Sequence, residues 1–295
     1  MVTDSSISLI ELIKTRGEKM ETIKKENYTL TYLQKGDTSE PPIMVIGSPI
    51  YYPKLFNNEI YKDLNLIFIS HIGFTEIAPE KSKHTLQDVV NDIEQIRQKA
   101  NLESMYLLGH SGHGFMAMAY AEAYPERVNG VILSNLAPTN KKERQDLSIA
   151  YFEETASKER KDYFYQEIAK LEDDIKKAPE KRFSSMNIRM QAHGFYDYTY
   201  DGAYLWDDLP NNMPALDFLW GEAFAVYDTE HFFKQWQKPV ILLLSDYDYL
   251  VAPTNLWDDI SNTYHVPVIK FNKSGHNPML EEPQKYHQAL KDFIK

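Results

Sequence analysis

The chain has 295 residues, 43% of them hydrophobic, which is enough for a large core in one domain or in a core carrying an insertion. Lys and Arg total 32 against 43 Asp and Glu, and the resulting formal charge of −11 repels phosphate backbones and excludes a basic nucleic-acid surface. There is no cysteine, so disulfides, thiolate catalysis and thiolate-bound metal are excluded, and a reducing compartment fits.

Taken in chain order, the first fourteen residues lack a basic leader and a long apolar stretch, so a secretory signal is not expected. Apolar runs such as Val240–Leu244 are too short to span a bilayer. The expectation is a soluble cytoplasmic protein with no membrane or nucleic-acid partner, its oligomeric state open. Glu21–Gly36 alternates as an antiparallel hairpin at a sheet edge would. The runs Ile43–Ile46, Leu66–Ile69, Met105–Leu108, Val131–Leu133, Val240–Leu244 and Val266–Phe271 are expected to be buried strands of a parallel sheet.

Helical patterns lie between these runs. Leu86, Val89, Val90, Ile93, Ile96 and Ala100 share one face, behind a capping box of Thr85 and Asp88. A second helix carries Phe115, Met118, Ala119 and Ala123 and stops near Tyr124-Pro125. A last one presents Tyr286, Leu290, Phe293 and Ile294. Strands alternating with such helices predict an α/β fold, a mostly parallel sheet covered on both faces.

Between the strand at 105–108 and the second helix stands Gly-His-Ser-Gly-His-Gly at 109–114. A tight strand-to-helix turn there pushes the Ser111 hydroxyl over the sheet edge and aims the helix's unpaired N–H groups at any charge that develops. The same pattern also suits a plain glycine-rich connection.

The strand–helix rhythm stops from about Leu136 to Lys238. About one hundred residues are too many for a structureless loop inside a compact domain, so a helical cap is expected over 136–238, with the α/β core at 1–135 and 239–295. This stretch holds 19 of the 38 aromatic residues. Within it, residues 190–233 carry eight acids and no Lys or Arg. An acidic, tyrosine-rich wall would suit a substrate amine, although the same acids suit a solvated face. Tyr204, Trp206, Trp220 and Glu222 are the expected pocket residues, Glu222 because it follows Trp220-Gly221 in an apolar stretch.

A serine nucleophile needs a base, and the base needs an acceptor to fix its tautomer. The strand at 240–244 runs into Ser-Asp-Tyr-Asp-Tyr at 245–249, where Asp246 and Asp248 both qualify as the acceptor. The strand ending at Phe271 runs into Asn-Lys-Ser-Gly-His at 272–276. Functional groups of open α/β sheets gather beyond the carboxyl ends of strands, where Ser111, an acid and His276 would all lie. No metal-ligand spacing or dinucleotide fingerprint occurs, so no cofactor and no metal are expected.

These segments resemble the α/β-hydrolase superfamily. The likeness rests on the stretch from His84 to Pro138 with its Gly-His-Ser turn, on Asp248 with Pro253 beyond it, and on Ser-Gly-His-Asn-Pro at 274–278. It extends to the proline iminopeptidase-like branch through the tail and the Tyr-Asp-Tyr around Asp248. The resemblance implies nucleophile Ser111, acid Asp248 and base His276, in the chain order of that fold. It implies an oxyanion hole from the backbone N–H groups of Ser48 and Gly112, since Pro49 cannot donate. Two departures stand out. The second glycine of Gly-x-Ser-x-Gly is His113, and the usual His-Gly loop reads Ile46-Gly47-Ser48-Pro49. The implied activity is a cofactor-independent serine hydrolase acting on a small ester or amide. An aminopeptidase recognising a free amine through an acidic cap is the alternative, and a lyase or a ligand receptor on the same fold also remains open.

Overall fold

The computed structural model describes residues 20–76 and 85–295. The expectation for the first fourteen residues, and His84 of the family-like stretch, lie outside the described residues.

The sheet has eight strands: β1 (Met20–Lys24), β2 (Thr29–Gly36), β3 (Pro42–Gly47), β4 (Asn65–Ser70), β5 (Met105–His110), β6 (Val128–Ser134), β7 (Val240–Ser245) and β8 (Val268–Phe271). Their order is β1-β2-β4-β3-β5-β6-β7-β8. The β1–β2 hairpin sits at one edge and β2 pairs antiparallel with β4, while every pair from β4 to β8 is parallel. The strands are apolar at consecutive positions because both faces are covered. Met44, Ile46, Ile67, Ile69, Leu107 and Leu133 pack on one face, and Ile43, Val45, Leu66, Phe68, Leu108 and Ile132 on the other.

The first face is covered by α1 (Leu86–Lys99) and α2 (His113–Ala123). Helix α1 starts on the expected capping box, with Thr85 and Asp88 each bonding the other's backbone N–H. Val266–Phe271 departs from expectation. Only Val268–Phe271 forms β8, the edge strand, and Val268 and Lys270, which share one face of it, are exposed.

Between β6 and β7 the chain forms helices and turns without a strand: α3 (Lys142–Thr155), α4 (Lys158–Ile168), α5 (Leu171–Lys177), α6 (Arg182–Arg189), a one-turn helix at Gln191–Gly194, α7 (Met213–Phe218), a π turn at Leu219–Ala223 and α8 (Thr229–Gln235). Its later part joins the main core: Leu219, Phe224, Phe232 and Phe233 pack in the same cluster as α1 and α2. Its earlier part is tied to the loops beyond the strand ends. Lys54 Nζ, after β3, donates to the carbonyls of Tyr204 and Asp207. Asn212 Nδ2 donates to the Ile72 carbonyl after β4, and Ser148 Oγ to the Ala252 carbonyl after β7. The His276 N–H, after β8, donates to the Gly194 carbonyl at 2.7 Å. After β7 the chain adds α9 (Asp258–Tyr264), and after β8 it adds α10 (Pro283–Phe293), which lays Tyr286, Ala289 and Leu290 on the second face. Among the described residues no helix is long and apolar enough to cross a membrane.

Candidate active site

β5 ends at His110, and the chain turns through Ser111 at φ +56° into α2, which starts at His113. A non-glycine residue held in the left-handed region costs about 1–3 kcal/mol and persists only where its surroundings fix it. Here the Ser111 N–H donates to the Ser134 carbonyl at the end of β6, and its carbonyl accepts from the Gly114 N–H, both at 2.9 Å. The turn closes tightly because a Cβ at Gly109 would lie 2.5 Å from the Gly114 Cα. The close approach therefore uses Gly109 against Gly114, which frees position 113 for a large ring.

The Asp248 carboxylate, buried in the loop after β7, accepts from His276 Nδ1–H at 2.7 Å. Its other contacts are donors too: Asn135 Nδ2 at 2.8 Å and the Leu250 N–H at 3.1 Å. Three polar contacts thus converge on this one carboxylate, and it holds the His276 ring through Nδ1. Asp246, two residues earlier, is exposed. Asn135 escaped the sequence reading. It is fully buried at φ +47°, and its amide also donates to the Gly275 carbonyl at 3.1 Å, joining the acid and histidine loops. Its signal was an Asn directly after the Val-Ile-Leu-Ser strand, a residue that tolerates the left-handed conformation.

Ser111, Gly112 and His276 border one cavity of about 510 Å³. Phe183, Met186, Met190, Met213, Leu216 and Trp220 of the helical segment form much of the opposite wall. Its charged lining is Arg144, Arg182 and Asp217. Arg182 holds Asp217 through contacts of 2.8 and 2.7 Å. Arg144 is buried and donates to the carbonyls of Thr139 and Leu250 and to the side chains of Ser148 and Asn140. His193 also borders the cavity, stacked on Phe152 at 3.8 Å, and burial pushes its imidazole down to about 4, with Arg160 nearby adding to the effect. Arg144 and His193 carried no sequence signal.

Of the expected pocket residues, Trp220 borders the cavity and Tyr204, Trp206 and Glu222 do not. Glu222 is exposed on the π turn, one step past the point where that turn faces the cavity. Trp206 packs its ring 4.7 Å from Tyr51, and Tyr204 is 39% exposed. Ser48 is buried but does not border the cavity, and its hydroxyl accepts from the N–H groups of Ile50 and Tyr51. Among the described residues no group of three or more metal-ligating side chains converges.

One carboxyl joins the helical segment to the histidine loop. Glu281 accepts from the Tyr196 N–H at 2.7 Å and from the Gly275 N–H at 2.8 Å. Burial raises it to about 7 against the pull of those hydrogen bonds, and the nearby Asp248 charge adds to the rise.

Residues 47–283 match the family model described as the alpha/beta hydrolase fold, and the chain belongs to that family. It is 43% identical over 282 residues to the AB hydrolase superfamily protein YclE of Bacillus subtilis, covering 94% of this chain and 99% of that one. It is 24% identical over 222 residues to a proline iminopeptidase of Arabidopsis thaliana, covering 70% of this chain and 56% of that one. Among solved structures it resembles an alpha/beta fold family hydrolase from Bacillus anthracis, with a TM-score of 0.66 at 19% identity, covering 94% of this chain and 99% of that one. It also resembles an esterase from Exiguobacterium antarcticum, with a TM-score of 0.65 at 16% identity over 90% of this chain and 96% of that one.

Proposed function

We propose that this protein is a cofactor-independent serine hydrolase that cleaves a small carboxylic ester or amide with an apolar acyl or leaving group. The observation that carries this reading is the 2.7 Å Asp248–His276 bond in a cavity that also holds Ser111 on its left-handed turn. His276 Nε2 takes the Ser111 proton as Oγ attacks the acyl carbon, and Asp248 supports the imidazolium that forms. The N–H of Gly112, which borders the cavity, holds the oxyanion, and the second donor that the family resemblance gives to Ser48 lies behind the cavity lining. His276 then returns the proton to the departing alcohol or amine, and a water activated by the same base releases the acyl group. The helical segment acts as the cap, and its methionines adapt to acyl groups of different shape.

The aminopeptidase alternative needs an unpaired acid near the bond that is cut. The cavity's Asp217 is already held by Arg182, so the neutral-ester reading is favoured. A serine-directed fluorophosphonate probe tests the mechanism: covalent labelling at Ser111, with turnover of short and medium-chain aryl esters, is the expected result. Absence of labelling with intact ligand binding would make the chain a receptor. Labelling without acyl release would leave a lyase or transferase.

A further inference from the structure

A line of buried polar rings runs beneath the elbow. The Gly73 N–H donates to His71 Nδ1 at 3.0 Å. His71 Nε2 faces His113 Nε2 at 3.1 Å, and His113 Nδ1 faces both the His110 carbonyl at 3.0 Å and the Tyr52 hydroxyl at 2.9 Å. That hydroxyl meets His110 Nδ1 at 3.1 Å, and His110 Nε2 meets the His276 carbonyl at 2.6 Å. All four side chains are at most 5% exposed.

The two ends of this line fix every proton within it. A backbone N–H can only donate, so His71 Nδ1 accepts and its proton sits on Nε2. His113 Nε2 then accepts, which puts the His113 proton on Nδ1, where the His110 carbonyl and the Tyr52 oxygen receive it. Tyr52 must give its own proton to His110 Nδ1. His110 keeps a proton on Nε2 for the His276 carbonyl, which can only accept. Burial keeps the rings neutral, as this assignment requires. It holds His71 and His110 well below the ordinary imidazole value, lowers His113 to about 3 and raises Tyr52 well above the ordinary phenol value.

We infer that Tyr52, His71, His110 and His113 act as a set of positioning residues that locks the base loop to the elbow and to the loop after β3. The inference rests on the reading of His276 as the base. His113 stands where the family pattern has its second glycine, and a Cβ on Gly47, next to Ser48, would meet the rings of Tyr52 and His113. One network thus touches the segments that carry the nucleophile, the base and the expected oxyanion donor. Its neutrality matters because the His110 and His276 rings lie 4.5 Å apart. A cation at His110 would oppose the imidazolium that forms at His276.

Ring-nitrogen correlation spectra of the 15N-histidine-labelled protein test the network directly. The expected pattern is Nε2–H on His71, Nδ1–H on His113 and Nε2–H on His110, unchanged from pH 5 to 9. Any other tautomer, or a charged ring in that range, overturns the inference. This spectrum does not depend on catalysis, whereas failure of Ser111 to react with a fluorophosphonate would remove the functional reading and leave the spectrum as it is. In the reactive protein, Tyr52→Phe takes away the donor to His110 Nδ1. It should lower kcat and the Ser111 labelling rate about tenfold or more with KM within about twofold, because the base is displaced rather than the substrate wall. A folded Tyr52→Phe protein with wild-type kcat overturns the inference. If that variant does not fold, His110→Gln and His110→Leu decide. The glutamine keeps an N–H for the His276 carbonyl and should retain several-fold more kcat, and equal rates would overturn the inference.

Discussion

The floor and the roof of the cavity handle polar groups in opposite ways. Below Ser111, the linked polar side chains are the rings of Tyr52, His71, His110 and His113, and Asp248 with Asn135 and His276, each bonded to a defined partner. In the roof, helices α3 and α4 carry exposed charges in pairs such as Lys142–Asp146 and Lys158–Asp162. Such exposed pairs contribute about 0–1 kcal/mol each and fix little. The roof is instead held by a few side chains reaching backbone carbonyls, Arg144 at Leu250 and Arg160 at Ala192, Phe195 and Tyr196. A floor with one permitted set of protons specifies reaction geometry. On the proposed function, the roof's methionines, whose side chains adapt in shape, would carry substrate choice.

The sharpest division between floor and roof comes from Ser111→Ala. It should leave thermal unfolding nearly unchanged and reduce kcat on the order of 10⁴-fold or more, with the residual rate from binding and the oxyanion hole. Ester turnover by the purified folded variant is the measurement, and retention of most activity would place the chemistry elsewhere. Asp248→Asn should cost on the order of 10³-fold in kcat, while Asp246→Asn on the exposed side of the same turn should stay within about twofold. The reverse ranking would show that the fold presents the other acid to the base.

Glu281 sharpens the boundary between the two regions because it bonds one N–H from each. Its carboxyl sits at about 7 in the folded chain against an ordinary 4.5. Between those values the folded chain keeps a proton that the unfolded chain has lost. On account of this group, stability is fully present below about 4.5 and falls as pH rises through about 7. Urea midpoints followed from pH 4 to 8 should show a slope that Glu281→Gln flattens. An identical slope in the variant would assign the effect to other groups. The smallest expected effect is that of Glu222→Gln, which should change kcat/KM for a free-amine substrate and for its acetylated counterpart by less than about twofold, since Glu222 does not border the cavity. A loss confined to the amine substrate would restore the acidic-roof reading.

The order of strands and helices was legible because burial on both faces writes itself as consecutive apolar residues, and an amphipathic helix as a 3.6-residue period. The α1 capping box and the tight turn at Ser111 were legible for the same local reason: each depends on residues within a few positions of one another. Residues alone left Asp246 and Asp248 open, and only the turn of the chain after β7 buries one and exposes the other. The tertiary structure also decided the partners of His71, His113 and Tyr52, the place of Asn135 between two loops, and the outward direction of Glu222. These depend on which faces of segments 42 to 140 residues apart are brought together, and no short-range period records that. The acidic window admitted both a recognition wall and a solvated face because composition counts charges without direction. Folding turned Glu222 outward and set the half-exposed Asp217 against Arg182, so neither acid stands unpaired over the cavity floor.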